Sequence, residues 1–426
     1  MGTEHPSSYF AATAQGLVAY PALEGAHSCD VAIIGGGYTG LSAALHLAER
    51  GFKVVLIEAR RLGWGASGRN GGQLHSGQRR DQTTLAAMVG KDDARKLWRI
   101  GEEAKALVVD LVRRHGIDCD LKFGLLHADH KRRFVAHSRA YVDTLRRDHA
   151  YEKAEFVSGE EMRAMVASQA YHGGWLDRGG AHLHPLNFAL GIARAAASAG
   201  AKLYEKSPAI RIVEGDPVRV EIAAGTVSAQ FLLLACNGYF EGLAPRVERR
   251  VMPINNFLIA TEPLGEVAAL ALIRDDVAVA DSRFVVNYFR LSADRRLLFG
   301  GGETYSSRFP KDIAGLVRRR MLTIFPQLAG VRIDYAWGGT LAVTPRRLPY
   351  FARLSPNVLV AAGYSGQGVG MAVLGGQVLA EAVDGTLGRF DVLARLPVPV
   401  FPGGRLLRWP TLVAAMTWFS LRDRLL

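Results

Sequence analysis

The chain has 426 residues, of which 49% are hydrophobic and 22% are charged, which predicts a globular protein of two closely joined domains. Its formal net charge of +12 fits either the attraction of anionic ligands or a generally basic surface, and because the basic residues are dispersed we expect no nucleic-acid binding. The 3 scattered cysteines do not make a disulfide framework or a metal site, and no secretory signal or spanning run is visible, so we expect a cytoplasmic protein without a metal.

The first predicted elements, over 29–58, are a strand, a glycine turn, a helix and a second strand. In the turn GGGYTG, Gly35 permits a sharp bend, Gly37 lets the backbone approach a pyrophosphate, and Gly40 lets the helix pack against the strand. The helix start presents free N–H groups to phosphates, and Glu58 can accept both hydroxyls of a ribose. Because a carboxylate repels a 2′-phosphate, this unit predicts a site for NAD or FAD rather than for NADP.

The segment that follows, ARRLGWGASGRNGGQLHSGQ, is unusually rich in glycine. Such density indicates backbone in close contact with a flat or phosphorylated ligand. Helices are then predicted over 82–115, 129–149 and 187–200, and Ser158 with Glu161 forms a capping box for a short helix.

From residue 201 the pattern changes to strands, with AKLYEKSPAIRIV, PVRVEIAA and TVSAQFLLLAC followed by a strand-rich block over 250–302 and a helix over 312–325. Further on, the apolar strand NVLVAAG and the loop GYSGQGVG precede a helix over 371–383. This order of strand, glycine loop and helix repeats that of the N-terminal unit. The two ends of the chain are therefore predicted to fold together, with the substrate region inserted between them.

Three motifs together resemble one known family. GGGYTG with Glu58, GWGASGRNGGQ and NVLVAAGYSGQGVGMA resemble the D-amino-acid-oxidase-like FAD-dependent amine oxidoreductases over nearly the whole chain. Within this family, SSYFAATAQ, WGGTLAVTPRRLPYF and the terminal LRDRL are most similar to the gamma-glutamylputrescine oxidases. The resemblance implies an α/β (α+β) fold with a glutathione-reductase-like FAD-binding domain and a second, mixed-sheet substrate domain.

The resemblance also implies a discontinuous arrangement of these domains. The expected ranges are 28–82, 152–245 and 335–395 for the FAD-binding domain, 83–151 and 246–334 for the substrate domain, and 396–426 for a C-terminal helical tail.

FAD is implied as the cofactor, extended from the N-terminal turn to the C-terminal glycine loop. Sarcosine oxidases tether their flavin through a cysteine, and Gly339 stands at the matching position here, so we expect non-covalent FAD. The residues implied to contact FAD are Gly35, Gly37, Tyr38, Thr39, Gly40, Glu58, Ala59, Arg60, Gly65, Ala66, Ser67, Arg69, Asn70, Gly71, Gly72, Gln73, Ala209, Asn237, Gly238, Gly339, Gly363, Tyr364, Ser365, Gly366, Gln367 and Gly368.

The implied reaction is oxidation of a primary amine, most closely gamma-glutamylputrescine, to an aldehyde with release of ammonia. Since the flavin takes the hydride, no acid–base triad is required. Tyr288 and Arg290 alternate on a predicted strand and emerge on one face, where Arg290 would clamp a carboxylate or form a salt bridge. His184 is a candidate proton acceptor or a structural histidine, and Trp337 is a candidate pocket wall or a structural tryptophan.

The electron acceptor and two other functions stay open. Leu298 stands where sarcosine oxidases place a lysine that activates oxygen, so we expect either oxygen, which yields hydrogen peroxide, or a quinone or other acceptor. One alternative function is a D-amino acid, glycine or sarcosine-type oxidoreductase. Another is a non-catalytic flavin-binding subunit that docks on a partner or a membrane through the apolar run 409–421, although a helix covering the protein's own core also fits that run.

Overall fold

The computed structural model describes residues 4–304, 308–402 and 413. Helices and strands alternate along this part of the chain. The strands, numbered in chain order, are β1 (Gly25–Ile34), β2 (Val54–Ile57), β3 (Gln73–Leu74), β4 (Lys122–Ala128), β5 (Ala154–Val157), β6 (Gly174–His182), β7 (Lys202–Tyr204), β8 (Ala209–Val213), β9 (Val218–Ile222), β10 (Gly225–Leu234), β11 (Met252–Thr261), β12 (Ala278–Asp281), β13 (Tyr288–Leu291), β14 (Leu297–Thr304), β15 (Ile333–Val343), β16 (Tyr350–Ser355) and β17 (Val358–Ala362). The helices are α1 (Tyr9–Ala12), α2 (Tyr38–Ala48), α3 (Gln82–Val89), α4 (Lys91–Arg114), α5 (Arg132–His149), α6 (Gly159–Met165), α7 (Pro185–Ser198), α8 (Pro245–Glu248), α9 (Glu266–Leu272), α10 (Ile313–Ile324), α11 (Gly368–Val383) and α12 (Gly388–Ala394).

The first sheet joins segments from both ends of the chain. Its strands run in the order β16–β17–β10–β1–β2–β7, and the β8–β9 hairpin attaches beside β10. Strand β1 pairs in parallel with both β10 and β2, and β10 pairs in parallel with β17. Because β1 and β2 belong to the N-terminal unit and β17 to the C-terminal unit, the predicted convergence of the two ends is confirmed.

Helices α2 and α11 pack closely over this sheet. A Cβ atom at Gly376 of α11 would lie 2.3 Å from the backbone oxygen of Thr39 in α2, so only glycine permits this approach. Buried apolar residues of these two helices, of α4 and α7 and of β1, β2 and β17 form one core. This core fixes the N-termini of α2 and α11 near each other, beyond the carboxyl ends of β1 and β17, where open parallel sheets bind their ligands.

The second sheet has the strand order β15–β11–β14–β13–β12–β4–β6–β3, with β5 beside β6. Most neighbours are antiparallel, whereas β12 and β4 are parallel. Helix α10 packs on one face, where the stacked rings of Phe289 and Phe299 are buried. Tyr288 and Arg290 point away from that face, as the alternation of the strand predicts.

Two predicted elements are each divided in two in the structure. The helical region 82–115 is divided at Gly90, whose φ of +85° ends α3 before α4 begins. The single strand predicted over 201–213 is two strands, because the chain turns through Lys206 at a φ of +52°. Glycine adopts a left-handed backbone readily and lysine rarely does, so Gly90 marked the first break, whereas the second was marked only by Ser207 and Pro208 after the turn.

The predicted domain ranges divide the chain differently from the hydrogen bonding of the sheets. Strands β5, β6 and most of β15 fall in ranges predicted for the FAD-binding domain, yet all three pair within the second sheet. Helix α4 falls in the predicted substrate domain but packs in the core of the first sheet. The domain division itself stays a prediction.

Most of the predicted C-terminal tail lies outside the described residues. At its start, Phe401 donates its backbone N–H to the Arg249 oxygen at 2.8 Å. Within residues 4–304 and 308–402, no helix combines the length and the apolar character needed to cross a membrane.

Candidate active site

A cavity of about 1740 Å³ is lined by residues from both sheets. Its volume exceeds the roughly 300–1,000 Å³ of ordinary small-molecule pockets and suits an extended dinucleotide together with a substrate. The cavity runs from the carboxyl ends of β1, β2 and β17 across the face of the second sheet opposite α10.

The N-terminal glycine turn forms one end of this cavity. Gly35 has a φ of +111°, and a Cβ there would lie 2.7 Å from a backbone oxygen that follows β10. A Cβ at Gly40 would lie 1.9 Å from the Gly35 oxygen, so both glycines are required for α2 to begin this close to the sheet. Gly37 precedes α2 and lines the cavity, next to the positive end of the helix dipole.

Glu58 lies just beyond β2 and lines the same part of the cavity. Its Oε2 accepts the backbone N–H of Gly36 at 2.7 Å, and its Oε1 accepts that of Arg60 at 2.8 Å. Burial raises the pKa of Glu58, and these two hydrogen bonds oppose that rise. The carboxylate is thereby held in one orientation, with acceptor capacity left for hydroxyl groups.

Arg69 brings an unsatisfied donor to the cavity wall. Its guanidinium stacks on the Trp64 ring at 3.9 Å, Nε donates to the Trp64 oxygen at 2.7 Å, and Nη1 donates to the Gly338 oxygen at 3.2 Å. Its buried Nη2 has no hydrogen-bond partner within the described part of the chain. Because an unpaired buried donor is costly, Nη2 calls for an acceptor in the cavity.

Ser67 and Asn70 fix the shape of the turn around Arg69. Ser67 Oγ accepts the backbone N–H of Tyr38 at 2.9 Å, which ties the turn to the start of α2. Asn70 Nδ2 donates to the oxygens of Ala66 and Ser67, both at 3.0 Å, and Asn70 Oδ1 accepts from Gly72 N at 2.7 Å.

The C-terminal glycine loop forms another wall. Gly363 and Gly366 have φ values of +73° and +98°, and Ser365 between them has +55°. Tyr364 and Thr39 share a hydrogen bond of 2.7 Å between their hydroxyls, which joins this loop to α2. The N-terminus of α11 therefore borders the cavity as well, and it favours negative charge there.

These features fit FAD: two helix N-termini for anionic groups, a fixed carboxylate for ribose hydroxyls and an arginine that lacks an acceptor. Of the predicted FAD contacts, Gly40, Gly72, Gly238 and Gly363 do not line the cavity, and Gly40 and Gly72 are required instead by close backbone packing. The predicted contacts that line it are Gly35, Gly37, Tyr38, Thr39, Glu58, Ala59, Arg60, Gly65, Ala66, Ser67, Arg69, Asn70, Gly71, Gln73, Ala209, Asn237, Gly339, Tyr364, Ser365, Gly366, Gln367 and Gly368.

Tyr288 is the one predicted catalytic residue that lines the cavity. Its ring lies so close over Gly300 and Gly71 that a Cβ at either glycine would collide with it. The hydroxyl donates to Asn256 Oδ1, and Asn256 Nδ2 donates to the Gly302 oxygen at 3.1 Å. The ring is thus held as part of the cavity floor beside the predicted flavin segment.

Arg290, His184 and Trp337 do not line the cavity, and their polar atoms are engaged elsewhere. Arg290 donates to the oxygens of Gly71 at 3.0 Å and of Leu183 at 2.7 Å, which argues against the predicted carboxylate clamp. Trp337 Nε1 donates to the Arg69 oxygen at 3.1 Å, and this hydrogen bond holds the backbone of the cavity wall from outside the cavity.

His184 serves as the N-cap of α7, a structural role. Its Nδ1 accepts the backbone N–H of Asn187 at 3.1 Å, and its Nε2 shares a hydrogen bond of 3.0 Å with Thr13 Oγ1. Burial lowers the pKa of His184 to about 3, so the ring is neutral at physiological pH.

One part of the cavity was missed by the sequence reasoning. We call it the distal arm and define it by His75, Arg79, His127, Tyr141 and Trp175, all of which line the cavity. The His127 and Trp175 rings stack at 3.9 Å and 4°. His127 and Trp175 meet through the register of β4 and β6, and Tyr141 comes from α5, so no local pattern could have placed them beside His75 and Arg79.

Comparisons with known proteins agree with this geometry. A family model described as "FAD dependent oxidoreductase" (DAO) matches residues 30–382. The chain is 42% identical to gamma-glutamylputrescine oxidoreductase of Escherichia coli (strain K12), covering 99% of each chain. It is 41% identical to the probable oxidoreductase OrdL of Rhizobium meliloti (strain 1021), covering 98% of this chain and 97% of that one.

The fold is also that of a solved oxidase structure. The structure of glycine oxidase from Geobacillus kaustophilus superimposes with a TM-score of 0.75 at 22% identity, covering 88% of this chain and 100% of that one. A family match over most of the chain and full-length relatives above 30% identity agree with the dinucleotide site built above. The chain therefore belongs to the DAO family of FAD-dependent oxidoreductases, and it is an FAD-dependent amine oxidoreductase.

Proposed function

We propose that this enzyme oxidises the terminal primary amine of gamma-glutamylputrescine. The amine loses two hydrogens to become an imine, and water converts the imine to an aldehyde and ammonia. The observation that carries the proposal is the 42% identity over 99% of both chains to an enzyme named for this substrate. The size of the cavity supports it, since it leaves room for an elongated substrate beside a dinucleotide.

FAD, when bound, supplies the two-electron acceptor for this reaction. We infer that Glu58 and the N-termini of α2 and α11 hold the cofactor, with Arg69 Nη2 as an additional donor. Its attachment is proposed to be non-covalent, because Gly339 offers no side chain for a bond.

Tyr288 is proposed to support the substrate amine as part of the cavity floor. The amine must be neutral to lose a hydride, and nearby His75 and His127 add no positive charge because burial lowers the pKa of each to about 3. We therefore expect activity to rise with pH as the substrate ammonium loses its proton, without a catalytic histidine.

A second candidate is an amino acid oxidoreductase of the glycine oxidase kind, favoured by the structural similarity to glycine oxidase. Glycine and D-amino acids are short, and they would leave unused much of the cavity that extends beyond the dinucleotide. The two candidates therefore differ in the substrate length that each predicts.

Anaerobic flavin reduction tests the proposal. Purified yellow protein is expected to bleach with gamma-glutamylputrescine and to remain oxidised with glycine, sarcosine and D-alanine. Bleaching by the amino acids alone would contradict the proposal in favour of the second candidate, and bleaching by no amine would favour a non-catalytic subunit.

Two further measurements complete the test. Denaturation is expected to release free FAD, since the attachment is proposed to be non-covalent. Reoxidation of the reduced enzyme by oxygen, compared with reoxidation by a soluble quinone, identifies the acceptor that the Leu298 position leaves open.

A further inference from the structure

A row of paired residues crosses the second sheet beneath the cavity. Tyr288 lies opposite Ala280, Ala280 opposite His127, and His127 opposite Trp175. Residues directly opposite on neighbouring strands share one face, and all four line the cavity. At about 4.8 Å per strand, the row extends roughly 14 Å from Tyr288 to Trp175. The cavity therefore continues well beyond the predicted flavin segment.

The floor of the distal arm carries no charge. Burial, with the charge of Arg79 as a smaller contribution, holds the pKa of His127 and of His75 at about 3, so both rings are neutral. His75 lies 5.6 Å from His127, which stacks on Trp175. Such a surface suits methylene and amide groups rather than an ion.

Arg79 brings a positive charge into this neutral arm. Its Nε lies 3.8 Å from where a Cβ of Gly366 would be, so it borders the C-terminal glycine loop. Within residues 4–304 and 308–402 it makes no hydrogen bond or ion pair. Burial lowers its pKa to about 10, with Arg347 and Arg80 adding repulsion and Glu303 opposing it. A shielded guanidinium without a partner is a strong binding group for a carboxylate.

The length of the arm selects among amines. In extended gamma-glutamylputrescine, about ten bonds separate the primary amine from the carboxylate carbon, which is roughly 12 Å at the rise of an extended chain. The row from Tyr288 to Trp175, which is roughly 14 Å long, can hold a chain of this length. An α-amino acid, with only about two such bonds, would reach no farther than about 3 Å and could not occupy both ends.

We propose that Arg79 binds the carboxylate of an elongated amine substrate whose chain lies along the distal arm, so that the arm selects long amines that carry a carboxylate. This inference rests on the proposed function and specifies how its substrate is recognised. It replaces Arg290, whose donors are bonded to backbone oxygens, as the anion-binding residue.

A pair of unreactive ligands tests the role of Arg79 in the FAD-loaded protein. N-butylglutaramic acid carries the carboxylate and N-butylbutanamide lacks it, and neither contains an amine that the flavin could oxidise. Binding is measured by the change in flavin absorbance. Arg79→Met is expected to weaken the first ligand about 10- to 100-fold while changing the second less than about 3-fold.

Two further variants complete the design. Arg79→Lys keeps the positive charge but cannot form a bidentate pair with a carboxylate. Its affinity for the first ligand is expected to lie between those of the wild type and Arg79→Met. Arg346→Met removes an exposed arginine outside the cavity and is expected to bind both ligands as the wild type does. An equal loss of both ligands in Arg79→Met, or loss of FAD in both Arg79 variants, would overturn the proposal.

The outcome is separable from that of the proposed function. If the carboxylate-dependent binding appears but gamma-glutamylputrescine does not bleach the flavin, the role of Arg79 stands and the assigned reaction is wrong. If the wild type bleaches with that amine yet binds both unreactive ligands equally, the reaction stands and the carboxylate anchor is wrong.

Discussion

Side chains that the sequence placed near the substrate turn out to hold the backbone of the cavity wall. Arg290 was correctly predicted to share a face with Tyr288, because alternation along a strand is a local property. Its partners were not predictable, since the Gly71 and Leu183 oxygens reach it only through the packing of distant segments. The same holds for Trp337, which bonds to the Arg69 oxygen.

Arg290→Lys should therefore affect stability rather than substrate selection. Lysine cannot reach both carbonyl oxygens with a planar fork, so we expect the free energy of unfolding to fall by about 2–3 kcal/mol. The ratio of kcat/KM for gamma-glutamylputrescine to that for its analogue without the carboxylate should not change. A selective loss of activity toward the substrate with the carboxylate would instead support the prediction that Arg290 binds that group.

Glu58→Gln should weaken FAD binding. Each carboxylate oxygen of Glu58 accepts a backbone N–H, and a glutamine would turn its NH₂ group toward one of those donors. We expect the FAD dissociation constant from equilibrium dialysis to rise about 10- to 100-fold. Glu241→Gln, a change at an exposed glutamate that also lines the cavity, serves as the control and should leave FAD binding unchanged.

Among the elements, the helices next to glycine turns were the most predictable. The turn before α2 was predicted to the residue, because sterics allow only glycine at Gly35 and Gly40. Strand membership was less predictable, since β5, β6 and β15 join the second sheet through pairings between distant segments. The distal arm was missed for the same reason, as its residues lie on β4, β6 and neighbouring segments.

Gly376→Ala should separate α11 from α2. The added Cβ would lie 2.3 Å from the Thr39 oxygen and 2.6 Å from the Ala43 nitrogen. Both are backbone atoms of α2, so the clash can be relieved only if one of the two helices shifts. We expect a loss of about 3 kcal/mol in the free energy of unfolding and weaker FAD binding, because both helix N-termini border the cofactor site. Gly388→Ala, at a helix position with open space around it, should change neither quantity in urea titration and dialysis.

At the scale of the whole molecule, the two ends of the chain build one sheet and the cavity crosses to the other. Residues of β1, β2 and β17 provide the dinucleotide end, and β4, β6, β12 and β13 provide the floor of the other end. The order of strand, glycine loop and helix, repeated near the two ends of the chain, predicted that these ends fold together. The length of the floor came only from the sheet order, and that length is what favours an elongated amine.

Buried histidines should make the whole molecule sensitive to acid. His46 of α2 is buried, and burial lowers its pKa to about 4, with Arg50, Arg114 and Arg389 adding repulsion. Between pH 6.5 and 4, His46 binds a proton in the unfolded chain but not in the folded chain. This stabilising contribution is therefore complete above pH 6.5 and is lost as the pH falls toward 4. At pH 5 the loss from His46 alone is about 2 kcal/mol.

His46→Gln tests this assignment, because glutamine stays neutral and can donate to the Ser42 oxygen that His46 Nδ1 contacts at 2.7 Å. Urea unfolding with FAD in fixed excess gives the free energy of unfolding at pH 7.5 and pH 5.0. We expect the drop between these pH values to be about 2 kcal/mol smaller in His46→Gln than in the wild type. His27 lies near the start of β1, and His27→Gln should show the same decrease in the free energy of unfolding as the wild type. Identical drops in all three proteins would show that the acid sensitivity lies elsewhere.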